Sequence, residues 1–320
     1  MKKTAIGIDI GGTNTVMGIV DKDGNVIIEK SIPTETHSDY TIYMNNLANS
    51  IEGLVDSVGS GNEIIGIGIG APNGNYYNGT IEFAPNLKFK GIVPVVDFLK
   101  SRFNYPHIIL TNDANAAAIG EMVYGGAKGM KDFIMITLGT GVGSGIVVNG
   151  EMVYGHDGFA GEIGHTIYDP NGRDCGCGRR GCLETYTSAP GIKRTVFELL
   201  STMNEPSILR NISFHDLSAK QIDNAARNGD EIALEAFDYT GQVLGLKLAD
   251  AVAHTSPEAI FLFGGLAQAG DLIFGPVKKY LEENLLNIYK NKVKVLSSEL
   301  PPGEAAILGS SALVWKESVK

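Results

Sequence analysis

The three cysteines of this 320-residue chain lie within one short window, and a histidine precedes them by ten residues. They are Cys175, Cys177 and Cys182, and the histidine is His165. Three thiolates and one imidazole form the complete ligand set of a closed tetrahedral zinc site. We expect the glycines at 176, 178 and 181 to let the backbone turn tightly enough for the sulfur atoms to converge. The spacing therefore predicts a structural zinc site.

Two simpler interpretations compete with zinc: a disulfide with one thiol left over, and three unrelated buried thiols. The odd number of cysteines and the lack of a recognisable secretory leader disfavour the disulfide. Unrelated core cysteines would not be expected to share one glycine-rich loop with Arg179 and Arg180, two residues that we expect to be solvated. We therefore favour zinc.

Several acidic residues stand where they could act on a substrate. Glu162 and Glu184 flank the cysteine cluster, so a metal-anchored loop would fix both carboxylates; the simpler interpretation is two solvated loop acids. Asn112 and Asp113 follow a predicted strand and open an alanine-rich helix, where a helix cap is the simplest role. On the floor of a cleft, Asp113 can accept the proton of a substrate hydroxyl. We favour catalysis for Asp113, which is compatible with capping.

A pattern of strand, glycine-rich loop, strand, tight turn and strand occurs twice. The first loop, 11–14, lies between predicted strands 4–10 and 16–20, and the second, 139–145, lies between 133–138 and 146–148. Duplicated halves would bring both loops to one cleft, where their backbone N–H groups could bind a shared phosphate ligand. Either loop alone also fits an ordinary hairpin turn.

Two further polar residues occupy predicted turns. Asp9 ends the first strand beside the first glycine loop, so it could hold Mg²⁺ or its waters near a polyphosphate; it could also be a plain turn aspartate. Asn86 could donate or accept hydrogen bonds to a neutral ligand, and a turn role fits equally well.

Strands alternate with helices along the rest of the chain, which predicts an α/β architecture. The length favours two domains with a cleft between them. We expect a small domain at 1–112, joined by a final helix at about 304–320, and a large domain at 113–303 that carries the zinc loop 165–184. The other predicted elements are helices at 42–58, 191–200, 218–227 and 231–254, and strands at 26–28, 64–69, 107–110, 152–154 and 259–263.

The formal net charge of −10 disfavours a general role in binding nucleic acids or anionic membranes, since both require a basic surface. The longest uncharged segment, 133–150, contains five glycines, so we interpret it as two strands around a loop and not as a membrane helix. These features predict a cytoplasmic protein.

Together these motifs resemble the ROK family (repressors, open reading frames and kinases) of the sugar kinase and actin-like superfamily, and within it the bacterial glucokinases. The resemblance covers essentially the whole chain, and it implies a duplicated actin-like (ribonuclease H-like) two-domain sugar kinase fold with an interdomain cleft. The motifs that carry it are Asp9-Ile-Gly-Gly-Thr-Asn14, Asn112-Asp113-Ala-Asn115, Gly139-Thr-Gly-Val-Gly-Ser-Gly145, Glu162-Ile-Gly-His165 and the cysteine loop ending at Glu184.

The resemblance implies an ATP- and Mg²⁺-dependent kinase that phosphorylates a hexose, most readily glucose, and that contains structural Zn²⁺. It assigns Asp113 as the base on the sugar 6-hydroxyl and implies a homodimer or homotetramer. The implied sugar contacts are Asn86, Asn112, Glu162, His165 and Glu184. The implied nucleotide contacts are Gly11, Gly12, Thr13, Asn14, Thr140, Gly141, Gly264 and Gly265.

Two alternatives remain open within the resemblance. A sugar-responsive repressor would carry an N-terminal helix-turn-helix, and the first predicted strand begins by Thr4, which leaves no room for one. An N-acetylmannosamine, N-acetylglucosamine or fructose kinase is harder to separate from a glucokinase. The segment after Asn86 reads Leu87-Lys-Phe-Lys-Gly, where many family members have Leu-Pro-Gly-Trp, so the sugar loop departs from the common pattern.

Overall fold

The computed structural model describes residues 1–34, 36 and 38–318, which form thirteen strands and nine α-helices. The strands are β1 (Lys2–Ile10), β2 (Asn14–Asp21), β3 (Val26–Pro33), β4 (Asn62–Ala71), β5 (Gly74–Asn75), β6 (Thr80–Glu82), β7 (Ile92–Val93), β8 (His107–Asn112), β9 (Phe133–Leu138), β10 (Val142–Val148), β11 (Glu151–Met152), β12 (Ala259–Phe263) and β13 (Lys294–Ser297). The helices are α1 (Tyr40–Val58), α2 (Val95–Arg102), α3 (Asp113–Val123), α4 (Glu184–Thr187), α5 (Ala189–Thr202), α6 (Ala219–Arg227), α7 (Glu231–Thr255), α8 (Asp271–Asn284) and α9 (Ala305–Glu317).

Two five-stranded sheets share one topology, which confirms the predicted duplication. Their strand orders are β3-β2-β1-β4-β8 and β11-β10-β9-β12-β13. In each sheet the first three strands form an antiparallel meander, and the last two join in parallel. Gly24 and the pair Asn149-Gly150 have positive φ at the hairpin turns, the backbone geometry that such tight turns require.

The two central helices, α3 and α9, pack against each other between the sheets. Glycines on the strands of the first sheet allow α9 to lie close against it: a Cβ at Gly7 would collide with the carbonyl oxygen of Ile307, and one at Gly68 with that of Ser310. Helix α9 therefore packs on the first sheet, as predicted for the final helix. Residues 319 and 320 of that predicted helix lie outside the described residues.

The outer face of each sheet is covered by its own helices. Helix α1 buries Tyr43, Leu47 and Ile51 against the first sheet, because these residues recur at helical spacing on one face. On β9, Ile134 and Ile136 face the core under α5 to α8, whereas Phe133 and Met135 join the core under α3. The alternation along β9 places one apolar core on each side of the second sheet.

Three predictions of local structure were wrong or incomplete. The second glycine-rich loop spans only 139–141, because β10 already begins at Val142. Its glycines at 143 and 145 serve helix packing, as described below. The strand predicted at 152–154 is β11, Glu151–Met152. The short strands β5 to β7 and β13 and the helices α2, α4 and α8 were not predicted.

Within the described ranges, no helix combines the length and apolarity needed to cross a membrane.

Candidate active site

Asp9 and Asp113 lie at the same edge of the first sheet. Strands β1, β4 and β8 run parallel, so their carboxyl ends meet there; Asp9 stands near the end of β1, and Asp113 follows β8 directly. The side-chain oxygen of Asn112 caps helix α3 by accepting from the Ala114 N–H at 2.8 Å, and Asp113 Oδ1 accepts from the same N–H at 2.8 Å. Since Asn112 occupies the cap position, Asp113 is not needed for capping.

The Asp113 side chain is open to solvent, yet protein atoms surround its carboxylate closely. This combination is typical of a group in a cleft. The crowding desolvates the carboxylate and raises its pKa, an effect that the Ala114 N–H partly opposes. A raised pKa makes a carboxylate a better proton acceptor once it is ionised.

Electrostatic effects show which other charged side chains lie near Asp113. Burial, and then the charge of Asp113, raises the pKa of Asp9 to about 7. Burial also raises the pKa of Glu162; Asp113 and Glu184 add to this increase, and His165 opposes it. The structure thus brings together four predicted acids and the predicted histidine, from separate segments of the chain.

The first glycine loop lies beside Asn86. The loop is closed by a hydrogen bond from the Gly11 N–H to the carbonyl oxygen of Asn14 at 3.0 Å. A Cβ at Gly12 would stand 2.8 Å from the carbonyl oxygen of Asn86, so only glycine permits this approach. Thr13, Asn14 and Asn86 are exposed at the loop surface. The predicted sugar contact and the predicted nucleotide loop are therefore neighbours.

The second glycine loop is tied to Glu184 at the start of α4. Glu184 Oε2 accepts a hydrogen bond from the Val142 N–H at 3.0 Å, and a Cβ at Gly141 would lie 2.5 Å from the same oxygen. Glu184 Oε1 lies 3.8 Å from Cys175 Sγ. Thr140, at the tip of the loop, is exposed. Glu184 therefore connects the predicted nucleotide loop to the cysteine cluster.

His165, Cys175, Cys177 and Cys182 converge as predicted. Their potential ligand atoms all lie within 4.8 Å of one another, with Cys177 Sγ 3.7 Å from Cys182 Sγ and His165 Nδ1 3.8 Å from Cys175 Sγ. Ligand atoms at the corners of a tetrahedron around zinc are separated by about 3.7 Å. Both the donor set and its spacing fit a zinc ion.

The glycines of the cluster loop do not all contribute to this geometry. Gly178 and Gly181 have positive φ, and a Cβ at Gly181 would collide with the carbonyl oxygen of Asp169. Gly176 has neither a positive φ nor a close neighbour, so the role predicted for it was wrong. Arg180 is exposed and pairs with the exposed Asp174, and Arg179 is exposed, which confirms the expected solvation of both arginines.

A cavity of about 330 Å³ opens between the second glycine loop and the end of β12. Gly139 and Gly265 line it, and Gly264 next to it has φ near 103°, where a Cβ would stand 2.6 Å from the carbonyl oxygen of Leu138. The sequence did not indicate the polar residues that α6 and the segment after β12 add to this cavity. Those residues are Lys220, Asp223 and Gln268.

The duplicated sheets, each with a glycine loop after its first strand, define the actin-like class of two-domain α/β proteins. The chain belongs to the ROK family, whose sequence model matches residues 5–317.

Comparison with individual proteins gives the same result. The chain is 37% identical to a glucokinase of Halalkalibacterium halodurans over 98% of this chain and 95% of that protein. It matches the crystal structure of a ROK family glucokinase from Streptomyces griseus in complex with glucose and AMPPNP, with a TM-score of 0.80, 31% identity, and coverage of 98% and 99% of the two chains. It is also 31% identical to a xylose repressor of Bacillus spizizenii, over 97% of this chain and 76% of the repressor.

Proposed function

We propose that this protein transfers the terminal phosphoryl group of ATP to the 6-hydroxyl of glucose. The observation that carries the proposal is Asp113, an accessible carboxylate of raised pKa that lies near Asp9 of the first half and Glu162 of the second. The full-length similarity to a glucokinase crystallised with glucose and AMPPNP supports this choice of substrates.

Asp113 would act as the general base. Phosphoryl transfer requires mainly positioning and charge stabilisation, with one group to accept the proton of the attacking hydroxyl. Ionised Asp113 would take the proton of the 6-hydroxyl as the oxygen attacks phosphorus. Asp113 Oδ1 accepts from the Ala114 N–H, and the second carboxylate oxygen would accept the hydroxyl proton.

The two glycine loops would bind the phosphates, and the cavity beside Gly264 and Gly265 would take the adenosine. Backbone N–H groups in glycine loops suit this role because they present partial positive charge without bulk. The contacts assigned to the phosphates are Gly11, Gly12, Thr13, Asn14, Thr140 and Gly141. The position of Gly139 between loop and cavity supports one continuous nucleotide site.

Asp9 would hold Mg²⁺ directly or through its waters. Burial and a neighbouring negative charge raise the pKa of Asp9, and a divalent cation would relieve both effects. When bound, Mg²⁺ neutralises phosphate charge. The carboxylate of Asp9 therefore fits the ion that the nucleotide would bring.

The sugar would be bound by neutral and acidic side chains, as a neutral hexose requires. The residues assigned to it are Asn86, Asn112, Glu162, His165 and Glu184. Nδ1 of His165 faces the cysteine cluster, which leaves Nε2 for a sugar hydroxyl. Glu184 already accepts from the Val142 N–H, so it would bind sugar while also holding the nucleotide loop.

Structural zinc would be held by His165, Cys175, Cys177 and Cys182. Burial raises the pKa of the Cys182 thiol to about 12, so zinc binding would have to displace its proton. The division into domains 1–112 with 304–320 and 113–303, the homodimer or homotetramer, and the cytoplasmic location stay predictions.

A coupled assay of ATP consumption tests the proposal across glucose, N-acetylmannosamine, N-acetylglucosamine, fructose and allose. We expect the highest kcat/KM with glucose. If kcat/KM is higher with an acetamido sugar or fructose, that sugar is the substrate instead of glucose, and the kinase assignment stands. If no sugar stimulates turnover, the kinase proposal is overturned. The alternative function is then sugar binding without catalysis, as expected of a repressor.

A further inference from the structure

Strand β10 contacts the two segments that carry the proposed base and a proposed sugar ligand, one on each face. Side chains on a strand point alternately to opposite faces. A Cβ at Gly143 would lie 2.8 Å from Ala114 Cβ, and one at Gly145 would lie 2.7 Å from Ala118 Cβ. The glycines at these positions therefore let α3, which begins at Asp113, lie directly on the strand.

The other face of β10 holds the segment 161–165. A Cβ at Gly164 would collide with the carbonyl oxygen of Val142, and one at Gly161 would stand 3.2 Å from that of Ser144. Gly161 also has φ near 94°, which favours glycine. Within this segment, Glu162 directly precedes a single 3₁₀ turn, Ile163–His165. Strand β10 therefore contacts both the helix that begins at Asp113 and the turn that follows Glu162.

Ser144, on this strand, bonds through its side chain to both neighbours of Glu162. Its buried hydroxyl donates to the carbonyl oxygen of Gly161 and accepts from the Ile163 N–H at 3.2 Å. That N–H also approaches the Gly161 carbonyl oxygen at 2.9 Å. The Glu162 side chain makes no capping hydrogen bond to the turn, and Ser144 holds the backbone on both sides of Glu162.

We propose that Ser144 is a positioning residue that fixes Glu162 relative to Asp113 and so sets the affinity for the sugar. The inference rests on the proposed function, because it assumes that Glu162 binds the sugar. A flexible glutamate that binds a hydroxyl loses affinity when its backbone is released, since part of the binding free energy must then order it.

The test compares Ser144→Ala with Ser311→Ala. Both serines are buried; Ser311 lies on α9, away from the sugar segment, and its hydroxyl contacts the Leu308 carbonyl oxygen and the Tyr124 hydroxyl. We expect Ser144→Ala to raise the KM for glucose about tenfold while the KM for ATP and the zinc content stay unchanged. Amide exchange at Ile163 should also accelerate. The Ser311→Ala protein should show none of these changes.

Ser144→Thr keeps the hydroxyl and should retain a KM for glucose close to that of the unaltered protein. If Ser144→Ala does not fold, the Thr variant still tests the inference through this KM. An equal rise in KM for the Thr and Ala proteins would show that the hydroxyl is not responsible and would overturn the inference. An unchanged KM in Ser144→Ala would do the same. Failure of the unaltered protein to phosphorylate any sugar would instead refute the proposed function.

Discussion

Asp113 stands close enough to Asp9 for its charge to raise the pKa of the buried Asp9 carboxylate, although the two residues follow different strands of the first sheet. Strand β4 lies between β1 and β8, so the two carboxylates approach each other across the shared edge of three parallel strands. Two neighbouring acids suit different tasks: Asp113 would accept a proton, and Asp9 would attract a cation.

Replacing the proposed base should affect the chemical step far more than binding. We expect Asp113→Asn to lower kcat by about 10²- to 10⁴-fold, because proton acceptance is lost. The dissociation constant for glucose, measured by calorimetry, should change little, since the amide still offers an oxygen to the hydroxyl. Asp271→Asn is the matched control, because Asp271 is also an exposed first residue of a helix. A kcat near that of the unaltered protein in Asp113→Asn would remove Asp113 from the base role.

The raised pKa of Asp9 predicts a specific dependence of stability on pH. Asp9 has its ordinary pKa near 3.8 in the unfolded chain and about 7 in the folded protein. The folded state binds more protons between these values, so the stability that Asp9 contributes is complete below pH 4 and is lost as the pH rises through 7.

Asp9→Asn removes this titration. In urea unfolding without nucleotide or Mg²⁺, the variant should exceed the unaltered protein in free energy of unfolding by about 4 kcal/mol at pH 8, and the difference should shrink towards pH 4. Asp56→Asn, on the exposed face of α1, is the control and should follow the unaltered protein. A difference in free energy of unfolding between Asp9→Asn and the unaltered protein that stays constant across this pH range would contradict the raised pKa of Asp9.

The cysteine cluster predicts about one zinc ion per chain by metal analysis. Cys177→Ser should lower the zinc content, loosen the loop and raise the KM for glucose, because His165 and Glu184 are both anchored at the cluster. Arg179→Ser changes an exposed residue of the same loop that is not a ligand, so the zinc content and the KM for glucose should stay unchanged. A metal-free protein with full activity would show that zinc is not needed.

The sequence predicted the features that depend on neighbouring residues. Strands β9 and β12 lie at the predicted residues, and the cysteine cluster forms because all four ligands come from one short stretch. The predicted extent of the loop, 139–145, was partly wrong, because a glycine that could bind phosphate and a glycine that lets a helix pack closely look alike in a sequence. Gly143 belongs to the second kind, and only its contact with Ala114 on α3 reveals this.

The cavity beside Gly265 could not be predicted for a related reason. Lys220 and Asp223 reach it from α6, and the capping box at Ser218 indicates where that helix begins but not what it faces. Contacts between distant segments depend on how whole elements pack, and no local spacing encodes them.

The position of Gly265 in this cavity gives a test of the nucleotide site that leaves the sugar site intact. A Cβ at Gly265 would meet no atom within 4 Å, and the φ of Gly265 is not positive, so Gly265→Val should fold normally and direct its side chain into the space assigned to adenosine. We expect the KM for ATP to rise about tenfold or more, since overlap with a bound ring removes its packing, while glucose affinity stays constant. Gly275→Val on α8 is equally unobstructed and lies outside the cavity lining, so it should keep the KM for ATP. If both variants bind ATP as the unaltered protein does, the adenosine lies elsewhere.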